Sequence, residues 1–422
     1  MINVMRKTNL QKKIILCGLF ISVSIYGFCS FFALQKPFNL DEADFASLAH
    51  NIKLSGRPVL YVAEDFVKDL CNLELYSVKQ HLGYGLWHPP LYGNLLALWF
   101  KIFGETTLTG RLFGLFFALI SLFLCLRITR EICVHENIDK EKRFLVSALV
   151  GVLYLINPLV QQFSLLLDID NSLMTALVLL FFYTVIKNYK NNALRVDIYL
   201  GLILGTALLA KLPTPPLLPI SVFIFYLLNR EIGKAFKRTF IIGSVGVVFF
   251  LFVWLVYAAS LRLPIDFFLA YNYGTKILPV IEYKRLFFLP ATLGTLTYVV
   301  FWVSPAFVML AMVGMGERVG SFIRTKKLSP LILLIIFSLL VCFAYTVLYP
   351  RYSMMKYQFM NGPILIVVIS FLIIKYLKGF TPKELMISFA AGLILLFPYS
   401  LFAPDSILLA NNFLNKTANN ST

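Results

Sequence analysis

The sequence predicts an all-α integral membrane protein, a polytopic helical bundle with about eleven spans. Three observations carry that expectation. The chain is 59% hydrophobic and only 14% charged, with a mean hydropathy of +0.80. A soluble domain could not cover that much apolar surface with so few polar groups. Apolar runs of about 18–22 residues recur, the length a helix needs to cross a ~30 Å core. The polar connections between them alternate in charge, as they do when positive loops stay in the cytoplasm.

The spans fall near 14–34, 109–127, 144–164, 172–187, 198–211, 215–229, 239–260, 292–315, 330–348, 359–376 and 385–402. The first follows Arg6, Lys7, Lys12 and Lys13. It is longer than the core of a secretory signal and lacks a convincing small-residue cleavage site, so it is expected to be a retained span with a cytoplasmic N-terminus. With that start, the inner connections collect more than half of the 38 basic residues, among them Arg127, Arg130, Lys140, Lys142 and Arg143. The net charge of +17 is thereby explained by topology in a cell (inner) membrane, and no nucleic-acid partner is needed.

Leu91–Gly104 is apolar but short, and Lys101 interrupts it. A segment of about 14 residues lies along the surface more readily than it spans. It is therefore placed outside, since counting it as a span would also move the basic 127–143 connection outside. The whole chain, 1–422, reads as one membrane-embedded domain, with 35–108 as the first outer loop and 261–291 as a second large one. Pro213, Pro215 and Pro216 forbid a continuous helix between the fifth and sixth spans. Of the six cysteines, only Cys71 falls in a long outer loop, so that loop cannot be stapled to itself.

Residues with chemistry gather at the outer ends. Asn39-Leu40-Asp41-Glu42 has the form of a helix start, with Glu42 as the reciprocal acceptor of a capping box, and Gly56 is the expected stop. On that helix Asp41 shares a face with Phe45, Leu48 and Ile52, while Asp44 joins Ser47 and Asn51 on a polar face. A carboxylate on a packed face near a membrane is costly and usually functional, so Asp41 is the candidate base. Helix-dipole stabilisation is the other reading of the same acid.

His88 stands before Pro89-Pro90-Leu91 and could contact a phosphate oxygen or sit at a wet interface. Arg111 could pair with a lipid phosphate bidentately or snorkel to headgroups. Lys211 and Arg351 are cations on the less basic outer side, where a phosphate role gains weight. Asp168 and Asp170 could bind a divalent cation, orient a donor sugar, or cap the helix that follows. Nothing in the sequence requires a cofactor, and no Gly-rich nucleotide loop is present.

These pieces, taken in order, resemble the polyprenyl-phosphate-sugar-dependent glycosyltransferases of the GT-C fold, in the superfamily of protein O-mannosyltransferases and lipid A aminoarabinose transferases. The resemblance rests on Asp41-Glu42, His88-Pro-Pro-Leu91, Phe103-Gly104-Glu105 leading to Arg111-Leu112, Asp168 to Asn171, Gly201 to Lys211, and Tyr349 to Tyr352. It implies an inverting enzyme with a carboxylate pair, Asp41 and Glu42, at its catalytic centre. It implies a first outer loop with helices parallel to the membrane, and a donor phosphate held near His88, Arg111 and Lys211, with Arg351 as a further cation. The expected partners are a polyprenyl-phosphate-linked sugar, a glycan, lipid or protein acceptor, and membrane lipids. A lipid-linked-sugar flippase or a non-catalytic scaffold of envelope assembly is the alternative. The flippase should place its polar groups near mid-bilayer on broken, repeated helices, whereas here they cluster at the outer ends.

Overall fold

The computed structural model describes residues 2–34, 38, 40–58, 88–157, 160–161, 164–191, 193–262, 328–345 and 360–376. The expected spans at 292–315 and 385–402, nearly all of the 261–291 loop, Cys71 and Arg351 lie outside the described residues. Among those described, the chain is helical and forms no strand. Helices satisfy every backbone polar group within the segment, which a bilayer interior demands.

The first helix, α1, covers Ile2–Leu34, and α2 covers Leu40–Ser55. Gly56 ends α2 with φ 70°, and its N–H donates to Ile52 O at 2.8 Å, the stop expected from the sequence. Helix α3 (Leu91–Phe103) starts directly after Pro89-Pro90, where a missing N–H costs nothing. Thr106 then caps α4 (Thr107–His135) through a reciprocal pair with Thr109. Trp99 on α3 donates to Thr109 O at 2.8 Å, which folds α3 back onto the start of α4.

Helix α5 spans Lys140–Ile156 and stops well short of the expected residue 164. Residues 164–169 instead run as irregular chain across α4. The reason is local: Pro158 follows, and a residue before proline leaves the helical region, as the extended Asn157 does; beyond it the chain packs its carbonyls against the bare surface at Gly114, where a Cβ would meet Ser164 O at 2.7 Å. A π-helical turn, Asp170–Met174, follows and runs into α6 (Thr175–Lys187). Then come α7 (Leu194–Ala210) and, beyond the prolines, α8 (Leu217–Leu228), α9 (Ile232–Leu261), α10 (Leu331–Phe343) and α11 (Asn361–Tyr376).

Among the described residues, three segments are long and apolar enough to cross a membrane: α4, the π turn with α6, and α9. They differ in surroundings. The π turn with α6 is central, with 78% of its most apolar window buried, whereas for α9 the figure is 22%. On α9, Phe240, Val248 and Phe252 stand exposed, which costs nothing against lipid chains as apolar as themselves. The protein is therefore a multi-pass helical membrane protein.

Close packing of α7 on α9 depends on glycines. A Cβ at Gly205 would come within 2.7 Å of Gly246 O, and one at Gly201 within 2.6 Å of Val245 Cβ. The same three-helix corner buries a polar cluster. Arg238 on α9 bonds Asp197 on α7 at 2.7 Å and also reaches the Tyr226 hydroxyl on α8.

Two predictions follow from this packing and topology. Gly205→Ala should destabilise the protein by about 1–3 kcal/mol, the usual cost of overpacking. Gly243→Ala on the same pair of helices, where an added Cβ meets nothing within 4 Å, should be neutral or stabilising; thermal unfolding in detergent distinguishes them. For topology, single cysteines replace Ser55, Lys101 or Lys234 in a background stripped of the six natural ones. The first two should react with an impermeant thiol reagent from outside intact cells and the third should not; labelling of the third would overturn the orientation.

Candidate active site

The site assembles where α2, α3, the N-terminal end of α4 and the 164–170 segment meet. On α2 the buried side chains are Glu42, Phe45, Leu48, Ala49, Asn51 and Ile52. Glu42 thus lies on the packed stripe, three residues before Phe45 and seven before Ala49, as a wide apolar face requires. Its carboxylate accepts from both terminal nitrogens of Arg111, Nη1 to Oε1 at 2.8 Å and Nη2 to Oε2 at 3.1 Å. The Leu167 backbone N–H donates to Oε1 at 3.0 Å. The local sequence pattern assigned Glu42 to helix capping and the resemblance to a catalytic pair with Asp41; the structure gives its carboxylate a tertiary partner that capping does not supply.

Arg111 is fully buried, so its guanidinium turns inward and does not snorkel to headgroups. It also donates to Leu165 O at 3.2 Å and stacks 5.7 Å from the Phe38 ring centroid. Gly110 and Gly114 flank it, and these make room for its partners. A Cβ at Gly110 would stand 2.6 Å from Phe38, and one at Gly114 would strike the 164–166 backbone. The Gly-Arg-x-x-Gly spacing is the signal in the sequence that could have placed this arginine inside. Asp41 occupies the first turn of α2, directly before Glu42, and its side chain lies outside the described part of the structure.

The second pairing joins Lys211 to Asp170, both buried, so the cation at the end of α7 bonds the first residue of the π turn. Asp168 accepts from the Asp170 N–H at 3.0 Å. Thr214 and the Tyr345 hydroxyl, 2.6 Å apart, tie the proline turn after Lys211 to the end of α10. Among the described residues no group of three or more His, Cys, Asp or Glu side chains gathers that could hold a metal ion.

His88 stacks on Phe45 with centroids 6.1 Å apart and lines a small cleft with Pro89, Pro90, Leu48 and Ile169. Tyr92, to which no sequence pattern gave a role, has 0% exposure and stands edge-on to Phe45 and Phe113. Burial and the neighbouring Asp168 carboxylate push its phenol well above the usual range, so it remains an O–H donor. At the outer rim, Glu105 accepts from His50 at 2.8 Å and Lys53 at 2.9 Å, which pins the far end of α2 to the α3–α4 turn. Burial acts to raise the Glu105 carboxyl, but the bonds from Lys53 and His50 prevail and hold it below its usual value. The stabilisation is present above the unfolded carboxylate range and is lost as pH falls through the folded value; at this exposure it is small.

Residues 87–257 match the family described as dolichyl-phosphate-mannose-protein mannosyltransferase. Among solved structures, the chain resembles ArnT from Cupriavidus metallidurans bound to undecaprenyl phosphate, with 13% identity over 90% of this chain and a TM-score of 0.59. The apo state of ArnT from the same organism matches with 14% identity over 89% of this chain and a TM-score of 0.55. This chain spans 64% and 63% of the lengths of those two ArnT chains. No curated protein matches the sequence. The fold is shared with ArnT, and the two kinds of match support the GT-C superfamily resemblance read from the sequence.

Arg111→Leu should destabilise the protein by about 3–5 kcal/mol, because it strands a buried carboxylate. The double variant Glu42→Leu with Arg111→Leu should recover much of that loss. Thermal unfolding of the single and double variants checks this, and a double variant no better than the single would overturn the pairing as the source of the cost.

Proposed function

We propose that this protein is a membrane glycosyltransferase that moves a sugar from a polyprenyl-phosphate carrier to an acceptor hydroxyl on the outer face. The observation that carries the reading is the buried, bidentate Glu42–Arg111 pair beside Asp41, set within a fold shared with ArnT. The pair clamps the first turn of α2, so the backbone that carries Asp41 is held to α4 and to the 164–167 segment. A catalytic group works only when its support is rigid to within a fraction of an ångström.

In this reading the acceptor oxygen attacks the anomeric carbon from the face opposite the phosphate. Its bond to carbon forms as the carbon–oxygen bond to the phosphate breaks, the configuration inverts, and Asp41 takes the hydroxyl proton. The electron pair of the broken bond leaves on the polyprenyl phosphate, whose charge grows. Cationic groups placed before the reaction stabilise that growing charge. His88, Lys211 and Arg351 are assigned to this task. Arg111 contributes its charge from inside while holding Glu42, and Asp168 and Asp170 are assigned to the sugar. Exclusion of bulk water strengthens each of these contacts.

Asp41→Asn should fold and insert normally yet lose about 10²–10⁴-fold in transfer rate, the worth of a positioned base. Asp44→Asn should change the rate far less. Transfer from polyprenyl-phosphate sugar by the purified variants, compared at matched folding, is the measurement. Retained activity in Asp41→Asn, or a dead Asp44→Asn, would overturn the assignment of the base, and a scaffold or flippase predicts no transfer at all.

A further inference from the structure

Along Asp168 to Thr175 each polar side chain but one has a partner. Asp168 accepts from the Asp170 N–H, Asp170 bonds Lys211, Ser172 Oγ donates to Asp168 O at 2.5 Å, and Thr175 Oγ1 donates to Asp170 O at 2.7 Å. Asn171 is the exception. It is 1% exposed, and neither its amide nitrogen nor its carbonyl oxygen has a hydrogen-bond partner among the described residues. Burying both ends of an amide unpaired costs more than a well-placed hydrogen bond returns, while an apolar side chain of the same shape would cost nothing.

The backbone is equally unusual. Met174 N–H donates to Ile169 O at 3.0 Å, five residues back, so Asn171 sits on a π turn. Such turns give up regular helical bonds and occur mostly at functional sites. A second buried polar group comes from another element: the Tyr92 hydroxyl on α3 is fully buried beside the Ser172 side chain, in the field of Asp168, Glu42 and Asp170. An unpaired amide next to Asp170 in the chain and a buried phenol from another element therefore stand by the same carboxylates.

We propose that the Asn171 amide is a specificity-determining contact that reads a hydroxyl of the transferred sugar. The inference rests on the glycosyltransferase reading and names the group that selects the donor. An amide offers both donors and an acceptor, and a sugar hydroxyl is likewise both. Each satisfies the other without a net charge in an apolar surrounding. A site built to bond a hydroxyl discriminates strongly against a substrate that lacks it, because its own buried groups are then left unpaired.

The test uses the full chain with Asn171→Leu, which keeps the volume and removes the polar atoms. Donors are synthetic polyprenyl-phosphate hexoses and their mono-deoxy analogues, and the readout is kcat/KM for release of polyprenyl phosphate. The variant should lose about tenfold or more with the complete donor. That loss should vanish with one particular deoxy donor, and the melting temperature should be unchanged or higher. An equal loss with every donor, wild-type kinetics, or a lowered melting temperature would each overturn the inference, since the amide would then be structural or paired with a resident water. If the wild type releases polyprenyl phosphate from no donor, the glycosyltransferase reading itself falls, and this inference falls with it.

Discussion

One buried ion pair organises the candidate site. Glu42 and Arg111 are both nearly inaccessible and meet in a two-point contact. Two charges withdrawn from water recover the desolvation cost only when geometry is good and the remaining atoms are bonded. Here the Leu167 N–H and Leu165 O complete the set from the same short segment. The pair therefore joins three elements, α2, α4 and the 164–167 segment, and none of them can shift alone without stranding a charge.

That constraint passes outward in both directions. Toward the core, Tyr26 on α1 and Ser164 lie 2.7 Å apart, which links the first helix to the same segment. Along the chain, the segment leads into the π turn, whose first residue holds Lys211 from the end of α7. The two buried carboxylate–cation pairs are thus connected by only a few residues of backbone. At the rim, Glu105 with His50 and Lys53 fixes the far end of α2. The helix bearing Asp41 is held at both ends, strongly where it is buried and weakly where solvent screens the bonds.

The glycines have the same logic. At Gly110 and Gly114 small size lets Phe38 and the 164–166 carbonyls approach Arg111, and at Gly201 and Gly205 it lets α9 lie against α7. Without a hydrophobic drive between helices in lipid, close backbone approach and polar contacts supply the cohesion. Arg238 with Asp197 and Tyr226 adds such a polar contact at the same three-helix corner.

Composition and the length of the apolar runs already leave only a helical membrane bundle, and α2 with its Gly56 stop, the short α3 and the proline break after Lys211 were legible from local rules. Those rules act within a few residues, through propensity, caps and periodicity. Tertiary structure decided which charges meet. Glu42 read as a cap because Arg111, its partner, is 69 positions away, and no local pattern pairs them. Lys211 and Asp170 are 41 positions apart and were read as separate groups for the same reason. The path of the 164–166 chain over α4 depends on a glycine in that helix, and the unpaired amide of Asn171 becomes visible only when its surroundings are known. Long-range pairing and burial are properties of the packed chain, so they had to be read from the fold.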